Sequence, residues 1–353
     1  MTSQYRLHTS PEEDRASNSK YVPGGIVTST GRYGLGYRDL RRGTPRPHTR
    51  RRASTAVNHG KLALLLGMTA LCLLTLVRYF EKAPAQPGNA GPVGDYVEEE
   101  RLTQDILRIL DGGGGTYGVF VKVVRTGEEV EVRSREQFFA ASCYKLPLVL
   151  MLYEAAEAGD VDLDLKVAYA PEDRETGTGI IIGYKYGTQF TLRELARLAV
   201  VKSDNVAANM LLRHLGKERF IEYQKRAGAS VIPETVNNSS PADLGLFAKR
   251  LLEFASQNGP LGRELLDYFI ESEFKDRIPA LLPGTVKVAN KIGTWPGTVN
   301  DVGIVMNGEI EYILAVMSRD VPSVEGAADL IARISSEVYN HIAARTAAAS
   351  ERG

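Results

Sequence analysis

Three short stretches hold residue types that could do nucleophilic chemistry. In "FFAASCYKLPLVLMLYEA", residues 138 to 155, Ser142 stands three places before Lys145, where a polar segment turns into a long apolar run. Positions i and i+3 share a helix face, so the lysine amine would reach the serine hydroxyl. Serine is a poor nucleophile until a base takes its proton, and a lysine serves when burial and nearby positive charge depress its pKa. The apolar run supplies that burial. In "VVKSDNVAANMLLRHLG", Ser203, Asp204 and Asn205 fall in a short turn between two apolar helices. There Ser203 is a candidate proton relay and Asn205 an amide that holds substrate and lysine, although small polar residues at such turns also act simply as N-caps. In "NKIGTW", Lys291 ends an alternating strand, and Gly293 would let a substrate lie close to the backbone.

Other chemistries find little support. Cys143 lies beside Ser142 without a companion histidine and is expected to pack inwards as a small apolar residue. Of the five histidines, His214 and His341 fall in the C-terminal two thirds, and neither is in a motif, which disfavours a Ser-His-Asp arrangement. No Cys or His spacing suits a metal, so no cofactor is expected. The run "DGGGG" at 111 to 115 is followed by a strand and lacks a Gly-Lys-Ser/Thr sequel, which argues against a phosphate-binding loop. No nucleic-acid partner is expected.

The elements that must position these residues begin after a different kind of chain. Residues 1–60 are rich in Ser, Thr, Gly, Pro and Arg, too poor in aliphatic residues to offset chain entropy, and read as a disordered basic tail. Up to residue 61 there are 12 Lys and Arg against 4 Asp and Glu; the remainder carries the opposite excess, giving a formal net charge of zero over 353 residues. Residues 61–80 hold the charge-free stretch Leu62 to Val77, about 24 Å long as a helix. With Arg78, Tyr79 and Phe80 extending it, it reads as a transmembrane signal anchor. Arginines before it place the N-terminus in the cytoplasm and the rest outside, a single-pass arrangement. A cleaved signal peptide ending near "APA", residues 83 to 85, is the rival, but the preceding basic region is far longer than a signal n-region. A Pro/Gly linker, residues 81–95, follows.

Residues 96–347 suffice for one globular domain. Helical spacing marks 97 to 110. Strand signals follow at "TYGVFVKVV" and "VEVR", then a mainly helical block from 142 to about 257. Three strands, "TVKVANKIG", "TVNDVGIVM" and "EIEYILAVMS", precede a closing helix from about Val324 to about Ala344. Strands at both chain ends around a helical block predict an α+β fold: an antiparallel sheet with flanking helices and a mainly helical subdomain.

In that order, Ser-x-x-Lys at a helix start, Ser-Asp-Asn in a helical turn and Lys-x-Gly on a late strand form the signature of serine β-lactamases and penicillin-binding proteins. From 97 to 345 the sequence resembles the class A β-lactamase family; "SDNVAANMLLRHLG", "NSSPADLGLFAKRLL" and "NDVGIVM" fall where that family places similar residues. The resemblance implies that Ser142 attacks an amide carbonyl, with Lys145 taking its proton and Ser203 relaying it to the leaving nitrogen. It also implies an oxyanion hole from the Ser142 and Thr294 backbone N–H groups. Lys291 and the Thr294 hydroxyl would face the substrate carboxylate, with Lys291 also adding positive field near Ser203. Two departures stand out. Ile292 occupies the place of a family Thr or Ser. The segment "RAGASVIPETVNNSSPADL" is short and lacks the Glu-x-x-Leu-Asn pattern that supplies the deacylating base; Glu234, its only glutamate, is the candidate left there. Three functions follow: a monomeric β-lactamase-type hydrolase, a D,D-carboxypeptidase or acyl-transferase acting on peptidoglycan stem peptides, or a membrane-tethered binding module without turnover.

Overall fold

The computed structural model describes residues 93–231 and 235–350. Helix α1 (Val93–Asp111) leads into strands β1 (Thr116–Val123), β2 (Glu129–Val132) and β3 (Phe138–Phe139). A 3-10 turn, Ala141–Tyr144, runs directly into helix α2 (Lys145–Glu157). The helical block then contains β4 (Lys166–Ala168), β5 (Gln189–Thr191), α3 (Leu192–Val201), α4 (Asn205–Leu215) and α5 (Lys217–Ala227). It continues through β6 (Asn238–Ser239), α6 (Pro241–Gln257) and α7 (Gly259–Ile270). Strands β7 (Lys287–Trp295), β8 (Thr298–Asn307) and β9 (Ile310–Arg319) and helix α8 (Val324–Ser350) complete the described residues.

Alternating side chains fix the layers. Along β9, Tyr312, Leu314 and Val316 face one way and Ile313, Ala315 and Met317 the other, and all six are buried. A strand apolar on both faces has to be covered twice. Ile331, Ile334 and Val338 of α8, with Leu102 and Ile106 of α1, cover the first face, and the helical block covers the second. The sheet runs β2-β1-β9-β8-β7, antiparallel throughout, so strands from both chain ends share one sheet as the sequence predicts, and the first and last of the long strands, β1 and β9, lie side by side. Two small ribbons, β3 with β6 and β4 with β5, are not anticipated, because two or three residues are too few to show a period.

Helix α2 explains the lysine in an apolar run. All nine residues from Lys145 to Tyr153 are buried, so the helix has no polar face and passes through the core, delivering its first residue to the site from inside. Strand β7 is an edge strand. Its two-residue connection to β8 closes on the pair Trp295–Thr298. Alternation then makes Thr294–Val299 a pair without mutual hydrogen bonds. Consistently, the Val299 N–H donates to Ser318 Oγ, towards β9. The Thr294 N–H therefore points out of the sheet.

The basic tail, the apolar run Leu62 to Val77 and most of the Pro/Gly linker lie outside the described residues, as does Glu234. Among the described residues no helix is long and apolar enough to cross a membrane.

Candidate active site

Ser142 sits half-buried in the 3-10 turn, one residue after Ala141, whose φ of +46° lies in the left-handed region that few non-glycine residues enter. Ser142 is only the second residue of its turn, and Cys143 N–H, bonded to the Ala140 carbonyl, makes the turn's first backbone bond. The Ser142 N–H is thus one of the unpaired donors of a helix start. It and the Thr294 N–H are the two groups expected to hold an oxyanion.

Lys145 is fully buried. Its Nζ donates to the Ser203 carbonyl oxygen (2.6 Å) and to Asn205 Oδ1 (2.7 Å), with Ser203 Oγ at 3.5 Å. Among the described residues no hydrogen bond engages the Ser142 hydroxyl, so the direct serine–lysine bond expected from the spacing is not formed. A carbonyl and an amide oxygen, both better acceptors than a hydroxyl, hold the amine instead. Burial first, and then the charge of Lys291, push the Lys145 amine well below the ordinary lysine range. As a neutral amine it has two N–H groups, and the two short bonds use both. Its lone pair remains for a proton.

Ser203 is a second non-glycine residue in the left-handed region, φ +51°. Its hydroxyl accepts from Lys291 Nζ at 2.9 Å. Lys291 is completely buried and also donates to the Ile292 carbonyl (2.9 Å); burial lowers its pKa to about 8. The resemblance implies two roles for this amine, facing a substrate carboxylate and adding positive field near Ser203; its bond to the Ser203 hydroxyl is the geometry of the second.

Asp204 is the N-cap of α4, accepting from Ala207 N–H, and its other oxygen accepts from Ile180 and Ile181 N–H at 2.6 and 2.9 Å. It is a structural residue, as the capping alternative expects. Asn205 Nδ2 donates to the Thr176 carbonyl while its Oδ1 holds Lys145. Asn205 starts a ladder on one face of α4, four residues per rung. Asn209 Nδ2 donates to Glu175 Oε2 (2.7 Å) and the Asp173 carbonyl (3.3 Å). Arg213 grips both Asp173 carboxylate oxygens at 2.7 and 2.8 Å. Segment 173–178 is therefore pinned beside the Ser203 turn, where the Thr178 hydroxyl also bonds the Ser203 carbonyl (2.6 Å).

Gly293 has a reason that the sequence does not show. A Cβ there would overlap the Ala140 carbonyl oxygen and come within 3.1 Å of Ala141 Cβ and Cys143 Sγ. The nucleophile turn lies against the strand at this point and leaves no room for a side chain. Cys143 is buried as expected; its thiol donates to the Lys291 carbonyl (3.2 Å), and burial pushes its pKa to about 12.

The sequence reading missed Arg277. Its guanidinium, 2% exposed, donates to the Gly293 carbonyl (3.0 Å), the Asn300 carbonyl (2.6 Å) and Thr294 Oγ1 (2.5 Å). Thr294 is exposed at the cleft, so a buried positive charge backs its hydroxyl. Among the described residues no group of three or more His, Cys, Asp or Glu could hold a metal ion.

A model of a family described as "Beta-lactamase enzyme family" matches residues 101–342. The chain is 26% identical over 246 residues to a carbapenem-hydrolysing β-lactamase, KPC, of Klebsiella oxytoca, covering 62% of this chain and 80% of that protein. The solved structure of PBP-A superposes with a TM-score of 0.64 at 25% identity, over 68% of this chain and 95% of PBP-A. A mutant of PBP-A, described as an acyl-enzyme complex with penicillin G, has a TM-score of 0.63 at 23% identity, over 71% and 97%.

Proposed function

Because the chain belongs to the beta-lactamase enzyme family, we propose that it is a membrane-anchored serine hydrolase acylated at Ser142 by β-lactams or related amides. One observation carries the reading. A buried amine, pushed towards its neutral form, is held by Ser203 and Asn205 with its lone pair unoccupied, three residues along continuous helical backbone from an unbonded serine hydroxyl.

In the proposed reaction Lys145 takes the Ser142 proton as Oγ bonds to the amide carbonyl carbon. The negative charge on the carbonyl oxygen falls between the N–H groups of Ser142 and Thr294. As the C–N bond breaks, the nitrogen receives a proton through Ser203, whose oxygen the Lys291 ammonium polarises. Thr294, backed by Arg277, receives the substrate carboxylate and stands in for the hydroxyl that Ile292 lacks. Asn205 orients both substrate and lysine.

The penicillin complex of the PBP-A mutant supports β-lactams as acylating agents. The absent Glu-x-x-Leu-Asn pattern favours a second reading, in which the physiological acyl donor is a peptidoglycan stem peptide and the enzyme a D,D-peptidase or acyl-transferase. A third, a binding module without turnover, predicts no adduct. Anchoring by Leu62 to Val77, with the domain outside and the tail in the cytoplasm, follows from the sequence pattern. It predicts that the chain fractionates with membranes and that protease outside the cell reaches the domain but not the tail.

The test is incubation with a fluorescent penicillin, read by intact mass over time. A one-to-one adduct lost in Ser142→Ala supports acylation; no adduct on folded wild-type protein refutes it. Nitrocefin turnover separates hydrolase from stem-peptide enzyme.

A further inference from the structure

An acylated Ser142 must be released, and most carboxylates around the cleft are already engaged. Asp204 is buried and accepts from three backbone N–H groups, and Asp173 is buried and accepts from Arg213 and the Ala170 N–H. Asp301 lies buried behind β7, bonded to Ile278 N–H and Asn290. Glu175 differs. It is exposed, and among the described residues its one hydrogen bond is the one from Asn209. A carboxylate has about four acceptor sites, so the remainder are open to water.

Its placement is fixed rather than incidental. Asn205 and Asn209 are consecutive rungs of the α4 ladder, separated by about 6 Å of helix rise. The first holds the Lys145 amine and the second holds Glu175. The Glu175 charge reaches the start of α2. There it counters the burial and the Lys291 charge that depress Lys145, and it adds to the burial that raises the Tyr144 phenol. Asn205 also holds the Thr176 carbonyl, on the next residue, which fixes the backbone that carries Glu175.

We propose that Glu175 is the base that activates water for deacylation, supplied by the segment after β4 instead of the loop before α6. Glu175 takes a proton from water as the water oxygen bonds to the ester carbonyl carbon of acylated Ser142. The carbon–Oγ bond then breaks, and the serine oxygen recovers the proton that Glu175 took, by way of Lys145. Acid product and free Ser142 result, with no further reactant needed. This inference rests on acylation at Ser142.

The experiment follows penicillin G adducts by intact mass in the full-length protein, its Glu175→Gln and Glu175→Asp variants, and Glu234→Gln. Glu175→Gln is expected to form adduct within about threefold of the wild-type rate and to retain it on the order of 100-fold longer. Glu175→Asp should restore part of the release, and thermal denaturation should be unchanged. An unchanged adduct lifetime in Glu175→Gln, or equal slowing of formation and release, overturns the assignment while acylation stands. Prolonged lifetime in Glu234→Gln alone moves the base to the other loop and overturns it too. No adduct on wild-type protein removes acylation itself, and this inference with it.

Discussion

Gly293→Ala tests how the two halves of the oxyanion hole are held together. Gly293 has no positive φ, so the effect of a methyl group there is steric alone. The added Cβ overlaps the Ala140 carbonyl oxygen and crowds Ala141 Cβ and Cys143 Sγ, both at 3.1 Å. The worst of these is a backbone atom, which no rotamer change can remove. Strand β7 therefore has to retreat from the nucleophile turn by about 1 Å to regain ordinary contact distances of ~3.5 Å. That retreat carries the Thr294 N–H away from the Ser142 N–H, and a misplacement of about 1 Å costs roughly 100-fold in rate, or about 2.7 kcal/mol of barrier. Overpacking of this kind also costs about 1–3 kcal/mol of stability, which at this domain size lowers Tm by roughly 2–12 °C. The second-order rate of labelling by a fluorescent penicillin, beside a thermal melt, measures both. Labelling within about threefold of wild type, with Tm unmoved, would show that the close approach of β7 to the turn does not set the site.

Two further perturbations probe the lysine and the turn. Acylation needs the neutral Lys145 amine, whose pKa lies well below the ordinary value of about 10.4, and the charged Lys291, whose pKa is about 8; the labelling rate should therefore fall on acidification and fall again as pH rises through about 8, and a rate still climbing near pH 10 contradicts a depressed amine. Asp204→Ala strands the Ile180, Ile181 and Ala207 N–H groups and should cost about 3–5 kcal/mol in urea unfolding, with Asp204→Asn intermediate because one amide oxygen cannot serve both the cap and the loop; a loss below about 1 kcal/mol in Asp204→Ala would mean water replaces those bonds.

Much of this was legible in the sequence because it is local. The apolar run Tyr312 to Met317 appears in six residues, and Ser142 with Lys145 or Ser203 with Asn205 needs only one turn of chain. What escaped depends on partners far apart. Arg277 looks like any loop arginine until Gly293, Thr294 and Asn300 are folded against it. The polar spacing Asn205, Asn209, Arg213 is visible as one helix face, but the segment it grips lies 29 to 45 residues earlier and has no period of its own. Gly293 was noticed for its missing side chain, but nothing in "NKIGTW" says that the nucleophile turn comes close to it. The Lys145 amine was expected at Ser142 and at Asn205, and only the second contact forms; its other short bond, to the Ser203 carbonyl, is a preference set by acceptor strength that spacing cannot express.

The central position of β9 also governs how the domain comes into being. Strand β1 has β2 on one side and needs residues 310–319 on the other, yet roughly 190 residues separate the end of β1 from the start of β9. At about 5–20 residues per second, ribosomes take on the order of 10–40 s to make that interval. Throughout it the early hairpin carries one naked edge, open to pairing with any other chain. Assembly of the sheet is therefore a late event of high contact order and slow rate, and any truncation that deletes 310–319 leaves a chain prone to aggregate rather than a smaller enzyme.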